Sequence, residues 1–258
     1  MKQKTMLQLV RNATLKLHYA GKNILVDPML AEKGTLQSAL GVYVTPRVHL
    51  TMPVDEITEG LDMVLLTHNH IDHYDPTVKG LLPKDILFLT QPQDRETIIL
   101  DGFTNVEAIE ETKAVDGLTI YRTVGHHGFG QIGRAMGPVS GFVLVAEGCP
   151  TLYIMGDCKW EDTVRKTIDR YHPDYIVVNS GGAVFPEICK TDGAAIPDER
   201  EVMAMLAELP ENIRLIAVHM DATDHGQTTR AILRNEARHC NVDMNRLLIP
   251  EDGENIEL

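Results

Sequence analysis

Met63-Val64-Leu65-Leu66-Thr67-His68-Asn69-His70-Ile71-Asp72-His73 is an apolar run that ends in four side chains able to bind a first-row metal ion. Imidazole and carboxylate suit zinc, manganese and iron(II) alike, so the tract predicts a metal without choosing which one. On a loop behind a strand, His68 and His70 can point to one side. Asp72 and His73 then reach a second position a few ångströms away. The competing explanation is a solvated, histidine-rich turn ahead of Pro76. Other strand ends argue against it.

Working outward, short apolar runs rich in β-branched residues recur along the chain, bounded by turn or charge signals. They include Asn23–Val26, Ile86–Leu89, Leu118–Tyr121, Phe142–Val145, Leu152–Met155, Tyr175–Val178 and Leu215–Val218. Helical spacing marks Pro197–Leu209, Thr228–Cys240 and Trp160–Tyr171. Strands interleaved with helices predict an α/β architecture. The Phe142–Met155 pair, turned at Glu147-Gly148-Cys149-Pro150, reads as an antiparallel hairpin, so the sheets should be mixed. No repeat, low-complexity tract or linker divides residues 1–258, which read as one domain. Trp160, Met203 and Met205 read as helix packing.

Five runs each deliver a ligand or acid within about three residues of their ends: Asp27, His68, the pair His126-His127, Asp157 and His219. In α/β folds sites gather beyond the carboxyl ends of strands, where loops from several elements converge.

This pattern resembles the metallo-β-lactamase-fold hydrolases, whose H-x-H-x-D-H signature is matched by His68 to His73. The resemblance runs on through Asn23-Ile24-Leu25-Val26-Asp27-Pro28, Gly125-His126-His127-Gly128, Gly156-Asp157 and Val218-His219. It is nearest to the branch containing L-ascorbate 6-phosphate lactonase. It implies an αβ/βα four-layer sandwich of two mixed β-sheets flanked by helices, with two divalent transition-metal ions at one edge. By the same resemblance, His68, His70 and His127 or His126 would hold the first ion. Asp72, His73 and His219 would hold the second, and Asp157 would bridge them. Related sequences carry Gly-Gln-His-Gly at this point, which favours His127.

Two ions roughly 3.5–4 Å apart can share a water, lower its pKa and present hydroxide to an electrophile. Asp72 and Asp157 would hold that water. His225 reads either as a contact to developing negative charge or as a residue entering the helix after it. Asp27 is expected to orient a ligand histidine, or simply to turn the chain before Pro28. Cys158 is a competent zinc ligand or a small semi-buried residue. Asn179-Ser180-Gly181-Gly182 reads as a close approach to a ligand or a tight turn. The tract from Ala31 to Pro53, with Lys33, Arg47 and His49, reads as a pocket cover or a surface excursion.

A small-molecule substrate is expected, with a lactone or phosphorylated sugar acid first and a phosphodiester or phospholipid second. A metal-binding sensor that keeps the fold without the chemistry is the alternative from another class. No expected ligand position is missing, which favours an enzyme. His70 argues against the oxygen-reducing di-iron members, which carry a carboxylate there.

Lys and Arg number 24 against 37 Asp and Glu, a net charge of −13, which disfavours a broad nucleic-acid footprint. No stretch approaches the roughly 18 apolar residues of a membrane span. The start, Met1-Lys2-Gln3-Lys4, lacks the apolar core of a secretory signal, so the cytoplasm is expected. Four cysteines without a CxxC pair should be reduced and mostly buried. Homo-oligomers are common among such enzymes, so self-association is a further expectation.

Overall fold

The computed structural model describes residues 4–188 and 190–258. Cys189 and the first three residues, on which two sequence expectations partly rest, lie outside them. Among the described residues two seven-stranded sheets face each other. The first contains β1 (Met6–Arg11), β2 (Thr14–Tyr19), β3 (Lys22–Val26), β4 (Met63–Leu66), β5 (Leu87–Thr90) and β6 (Val106–Ala108). The second contains β7 (Thr112–Val115), β8 (Leu118–His126), β9 (Pro138–Ala146), β10 (Leu152–Ile154), β11 (Tyr175–Asn179), β12 (Arg214–Val218) and β13 (Leu247–Leu248). The last strand, β14 (Asn255–Glu257), returns to pair antiparallel with β1.

Each sheet begins as an antiparallel meander and ends parallel. In the first, β1, β2 and β3 alternate in direction, then β3 to β6 run together. In the second, β7 to β10 alternate, then β10 to β13 run together. The sheets are mixed, as the hairpin predicted.

The parallel strands β4 and β10 are apolar throughout because both of their faces are buried. In β4, Met63 and Leu65 enter the core between the sheets, while Val64 and Leu66 enter the outer core. The two-residue period repeats in β11, with Tyr175 and Val177 inside and Ile176 and Val178 outside. Over the first sheet lie α1 (Val54–Thr58), α2 (Val78–Leu81) and α3 (Arg95–Leu100), through Ile57, Val78 and Ile98. A short α4 (Gly130–Met136) follows β8. Over the second sheet lie α5 (Asp162–Tyr171), α6 (Glu199–Glu208) and α7 (Arg230–His239), through Val164, Ile168, Val202, Met205 and Leu233. This is the expected four-layer sandwich.

The three long helices start two residues later than the apolar spacing suggests, and in α6 and α7 a capping side chain sets the start. Asp198 accepts from the amides of Arg200 and Glu201, and Thr229 from that of Ile232. No helix among the described residues is long and apolar enough to cross a membrane. The thiols correct one expectation: Cys158 is buried, but Cys149 is half-buried and Cys240 exposed, and none of the three forms a disulfide.

Candidate metal centre

One edge of the sandwich gathers the carboxyl ends of β1, β3, β4, β8, β10, β11 and β12. Behind β4, Thr67-His68 leads into a single turn in which the amides of His73 and Tyr74 both donate to the His70 carbonyl. That turn puts His70 with His68 in one cluster and Asp72 with His73 in another, and the ring centres of His68 and His73 lie 4.2 Å apart between them. Buried Asp75 ties it down, accepting from the amides of Leu30, Ala31 and Thr77. At the ends of β3 and β12 the backbone of Asp27 (φ 46°) and His219 (φ 65°) is left-handed. Such a conformation costs a non-glycine residue of order 1–3 kcal/mol and clusters at functional sites. Here it bends each chain over the sheet edge.

Three groups of side chains result, with ligand atoms within 4.8 Å of one another: His68, His70 and His127; His68, His73 and Asp157; and Asp72, His73 and His219. The Oδ2 of Asp157 is central. It lies 3.2 Å from His127 Nε2, 3.3 Å from His73 Nε2, and 3.8 Å from both His68 Nε2 and His219 Nε2. Asp72 Oδ2 is 3.2 Å from His219 Nε2 and 3.3 Å from His225 Nε2. All these residues except half-buried His70 are buried.

The ring orientations test whether cations fit. A carbonyl only accepts, so His70 Nε2 donates to the Met136 carbonyl and His127 Nδ1 to that of Ala195. His73 Nδ1 donates to Asp27 Oδ2 at 2.8 Å. Thr67 gives its hydroxyl proton to Asp27, so its oxygen accepts from His68 Nδ1 at 3.1 Å. Each outer bond fixes a tautomer whose remaining nitrogen faces inward. Those nitrogens crowd: His68 Nε2 is 3.0 Å from His70 Nδ1, and His73 Nε2 is 3.1 Å from His219 Nε2. Lone pairs so opposed repel unless a cation lies among them. The residues fit divalent ions with nitrogen and carboxylate ligands.

The electrostatics split the two sides. Burial, reinforced by neighbouring imidazoles, pushes His68 and His70 down toward the neutral, metal-ready form. Burial also acts downward on His73, but the Asp157 and Asp27 carboxylates outweigh it and hold that ring well above its ordinary value. His219 is raised in the same way, against burial, by Asp157 and Asp72. Burial would raise Asp72 and Asp157; the surrounding imidazoles overcome it and keep both well below the usual carboxylate range.

All seven expected ligands therefore converge, and His225 stands beside Asp72. Of the adjacent pair, His127 turns inward. His126 is 62% exposed at its side chain and pairs with Glu161. Asp27 takes the orienting role, holding His73 and both donors of Thr67. Cys158 joins the apolar cluster behind the second sheet, where burial, then the nearby Asp157 and Glu161, push its thiol up. It belongs to none of the three groups. At Gly181 the close approach is to the protein's own backbone, since a Cβ there would stand 2.2 Å from the His219 carbonyl oxygen.

Four supporting residues have a role that the sequence reading did not assign. Asn179 donates to Asp157 Oδ1 at 2.5 Å, which leaves Oδ2 for the centre. Asn12, in the β1–β2 turn, donates to the Asp72 carbonyl and receives the His219 amide. Arg11 is fully buried and binds the carbonyls of Met29, Ala31 and Val48, pinning the tract that starts at Ala31. Asp224 fastens that same tract by accepting from Ser38 and from the amides of Leu40 and Val42. A buried carboxamide or guanidinium has no periodic signal. Only the strand-end position of Asn179 hinted at its job.

The Beta-lactamase superfamily domain profile matches residues 22–220. UPF0173 protein YddR of Bacillus subtilis is 34% identical over 95% of this chain and 96% of its own. The crystal structure of a possible metal-dependent hydrolase from Veillonella parvula superposes with a TM-score of 0.91 at 31% identity, covering all of both chains. That of isothiocyanate hydrolase from Delia radicum gut bacteria superposes with a TM-score of 0.89 at 37% identity, covering 97% of this chain and 98% of that one. The chain belongs to the UPF0173 family of metal-dependent hydrolases within the metallo-β-lactamase superfamily.

Proposed function

We propose that the chain acts as one domain that holds two metal ions and hydrolyses a small, uncharged electrophile at carbon. The observation that carries this reading is the set of inward-facing nitrogens from three strand ends arranged around Asp157 Oδ2 at a fourth. His68 Nε2, His70 Nδ1 and His127 Nε2 would hold one ion. Asp72, His73 Nε2 and His219 Nε2 would hold the other, with Asp157 between them. Zinc or manganese suits this set, and iron is accepted by the same ligands. Bound there, such ions acidify water and polarise the oxygen or sulfur of an electrophile.

The chain's own groups do the rest. Asp157 Oδ2 and Asp72 Oδ2 orient the attacking water as acceptors. Asp72 Oδ2 takes a proton, and His225 Nε2, 3.3 Å away, is placed to steady developing negative charge or protonate the leaving atom. His225 is itself held by stacking on Phe185, with ring centres 5.2 Å apart.

Charge argues for an uncharged substrate. The buried cations among the described residues are committed elsewhere: Arg11 to carbonyls, Lys159 to Glu201, and Arg230 to Asp221 and Asp252. A lactone carbonyl therefore fits better than a phosphorylated sugar acid. A second reading, isothiocyanate hydrolysis, is favoured by the 37% identity to the isothiocyanate hydrolase over nearly its whole length. In that reaction water adds across N=C: the new C–O bond forms at the central carbon and the nitrogen takes a proton, giving a thiocarbamic acid.

The test is metal analysis of the purified protein, with turnover of lactone, isothiocyanate and bis-phosphoester probes by wild type, His73→Ala and Asp157→Asn. Bound transition metal with turnover lost in both variants supports the reading. Wild type without transition metal, and variants as active as it, would sink the mechanism. Tight metal binding without turnover of any probe would favour a sensor, and turnover of the bis-phosphoester alone a phosphodiesterase.

A further inference from the structure

The tract between Leu36 and Thr45 closes on itself through a β-bridge between those two residues. Its tip carries Val42, Tyr43 and Val44, which are 63%, 59% and 54% exposed. Three consecutive large apolar side chains in solvent are costly unless they have a use. The tip is nevertheless tied from beneath. The buried side chain of Asp224 accepts from the Ser38 hydroxyl and from the amides of Leu40, Val42 and Tyr43 at 3.4, 3.2 and 3.5 Å. Arg47 adds a second tether, its amide donating to the Ala222 carbonyl at 2.8 Å and its guanidinium lying 4.7 Å over the Tyr43 ring.

Asp224 is next in the chain to His225, which reaches Asp72 on one side and stacks on Phe185 on the other. Phe185 in turn packs on the small cluster of Ile132, Ala183, Ala195 and Ile196. The tip and Phe185 thus approach the metal groups through one short segment, 222–225.

We propose that Asp224 is a positioning residue that sets substrate preference by holding Val42, Tyr43 and Val44 as an apolar wall of the substrate site, shared with Phe185. The group accepted there is an uncharged apolar substituent, aliphatic or aromatic, on the electrophile. This rests on the hydrolase reading above. Asp224 itself touches neither metal nor reacting atoms. Its carboxylate offers two acceptor oxygens to four donors; an asparagine would turn one of them into a donor facing amides.

The experiment uses metal-loaded wild type, Asp224→Asn, Ser38→Ala and Tyr43→Ala. Kinetics are read with paired probes differing only in bulk: benzyl and methyl isothiocyanate, and γ-phenyl-γ-butyrolactone and γ-butyrolactone. Binding of N-benzylthiourea, an analogue without the cumulated bond, is read by calorimetry, and amide exchange at residues 38–43 by mass spectrometry. Wild type should prefer the bulkier member at least tenfold in kcat/KM. Asp224→Asn should erase most of that preference through KM, weaken the analogue about tenfold and speed exchange at the tip. Ser38→Ala should do the same more weakly, and Tyr43→Ala should weaken the analogue without speeding exchange. Equal kcat/KM for both members in wild type, or an analogue that binds Asp224→Asn as tightly as wild type, would overturn the proposal. If wild type turns over neither series, the hydrolase reading fails separately, and analogue binding and exchange still decide the role of Asp224.

Discussion

The two sheets carry the same strand plan yet contribute to the centre in opposite ways. In the first, one loop behind β4 supplies four of the seven converging side chains within six residues. In the second, three separate strand ends supply one each: His127 after β8, Asp157 after β10 and His219 after β12. Their carboxylates make the contrast sharper. Asp27 is the first residue past β3 and binds Thr67 at the end of β4. Asp157 is the third past β10 and binds Asn179 at the end of β11. Left-handed Gly156 (φ 65°) lies in the added stretch. A displacement of two residues moves a carboxylate from the flank, where it orients His73, to the middle, where it faces four imidazoles.

The comparison predicts unequal consequences for like substitutions. Asp157→Asn should cost most, about 10³-fold in kcat/KM with loss of bound metal, because removing a central ligand forfeits several kcal/mol of transition-state stabilisation. Asp27→Asn should cost roughly 10–100-fold in metal affinity or activity, the range for groups that orient a ligand from outside. Equal losses, measured by metal analysis and steady-state kinetics, would erase the distinction between centre and flank. Gly181→Ala probes the dispersed half alone. Its Cβ would collide with the His219 carbonyl, so occupancy should fall by about one ion per chain while the His68–His70–His127 group stays filled. The partner residues come next. Thr67→Val and Asn179→Leu should each weaken metal binding about tenfold, since each leaves its carboxylate short of one donor.

The smallest effect concerns protons. His68 and His70 are pushed down and present lone pairs at neutral pH, whereas His73 and His219 are raised and hold protons that an ion must displace. Uptake of the second ion should therefore weaken more steeply than the first between about pH 8 and pH 6, with proton release seen by calorimetry in buffers of different ionisation enthalpy. Linkage gives a companion expectation for chelator-treated protein. A raised histidine lends stability that is complete below its ordinary value of 6.5 and fades as pH rises through the raised one. The depressed carboxylates lend stability that is complete above 3.8 and fades as pH falls through the lowered values. The lowered histidines His68 and His70 act the other way, losing stability as pH falls below 6.5, so thermal melts across pH should show a maximum near that value.

Legibility in the sequence follows the same division. The parallel strands were readable because burial on both faces makes them continuously apolar, as in Val64-Leu65-Leu66. β2 escaped notice because only one face is buried: Lys16 and His18 interrupt Leu15, Leu17 and Tyr19. The compact ligand set was visible as a motif. The dispersed set was visible only as polar residues at strand ends, which is how Asp157 and His219 were found. What supports each set was hardly visible. The bonds from Asn179 to Asp157, within the second sheet, and from Asn12 to Asp72, within the first, join residues whose spacing reflects strand order, not a helix or strand period. So does the bond from the His219 amide to the Asn12 carbonyl that ties the two sets together.

The split also has a consequence in time. His68 to His73 leave the ribosome about 150 residues before His219, an interval of about 7–30 s at ordinary synthesis rates. His127 completes the first group well inside that interval, while the second group cannot exist until β12 has been made. Asp157, the carboxylate shared by the imidazoles, is made between them, so nascent chains arrested after about residue 150 should retain metal far more weakly than the finished chain.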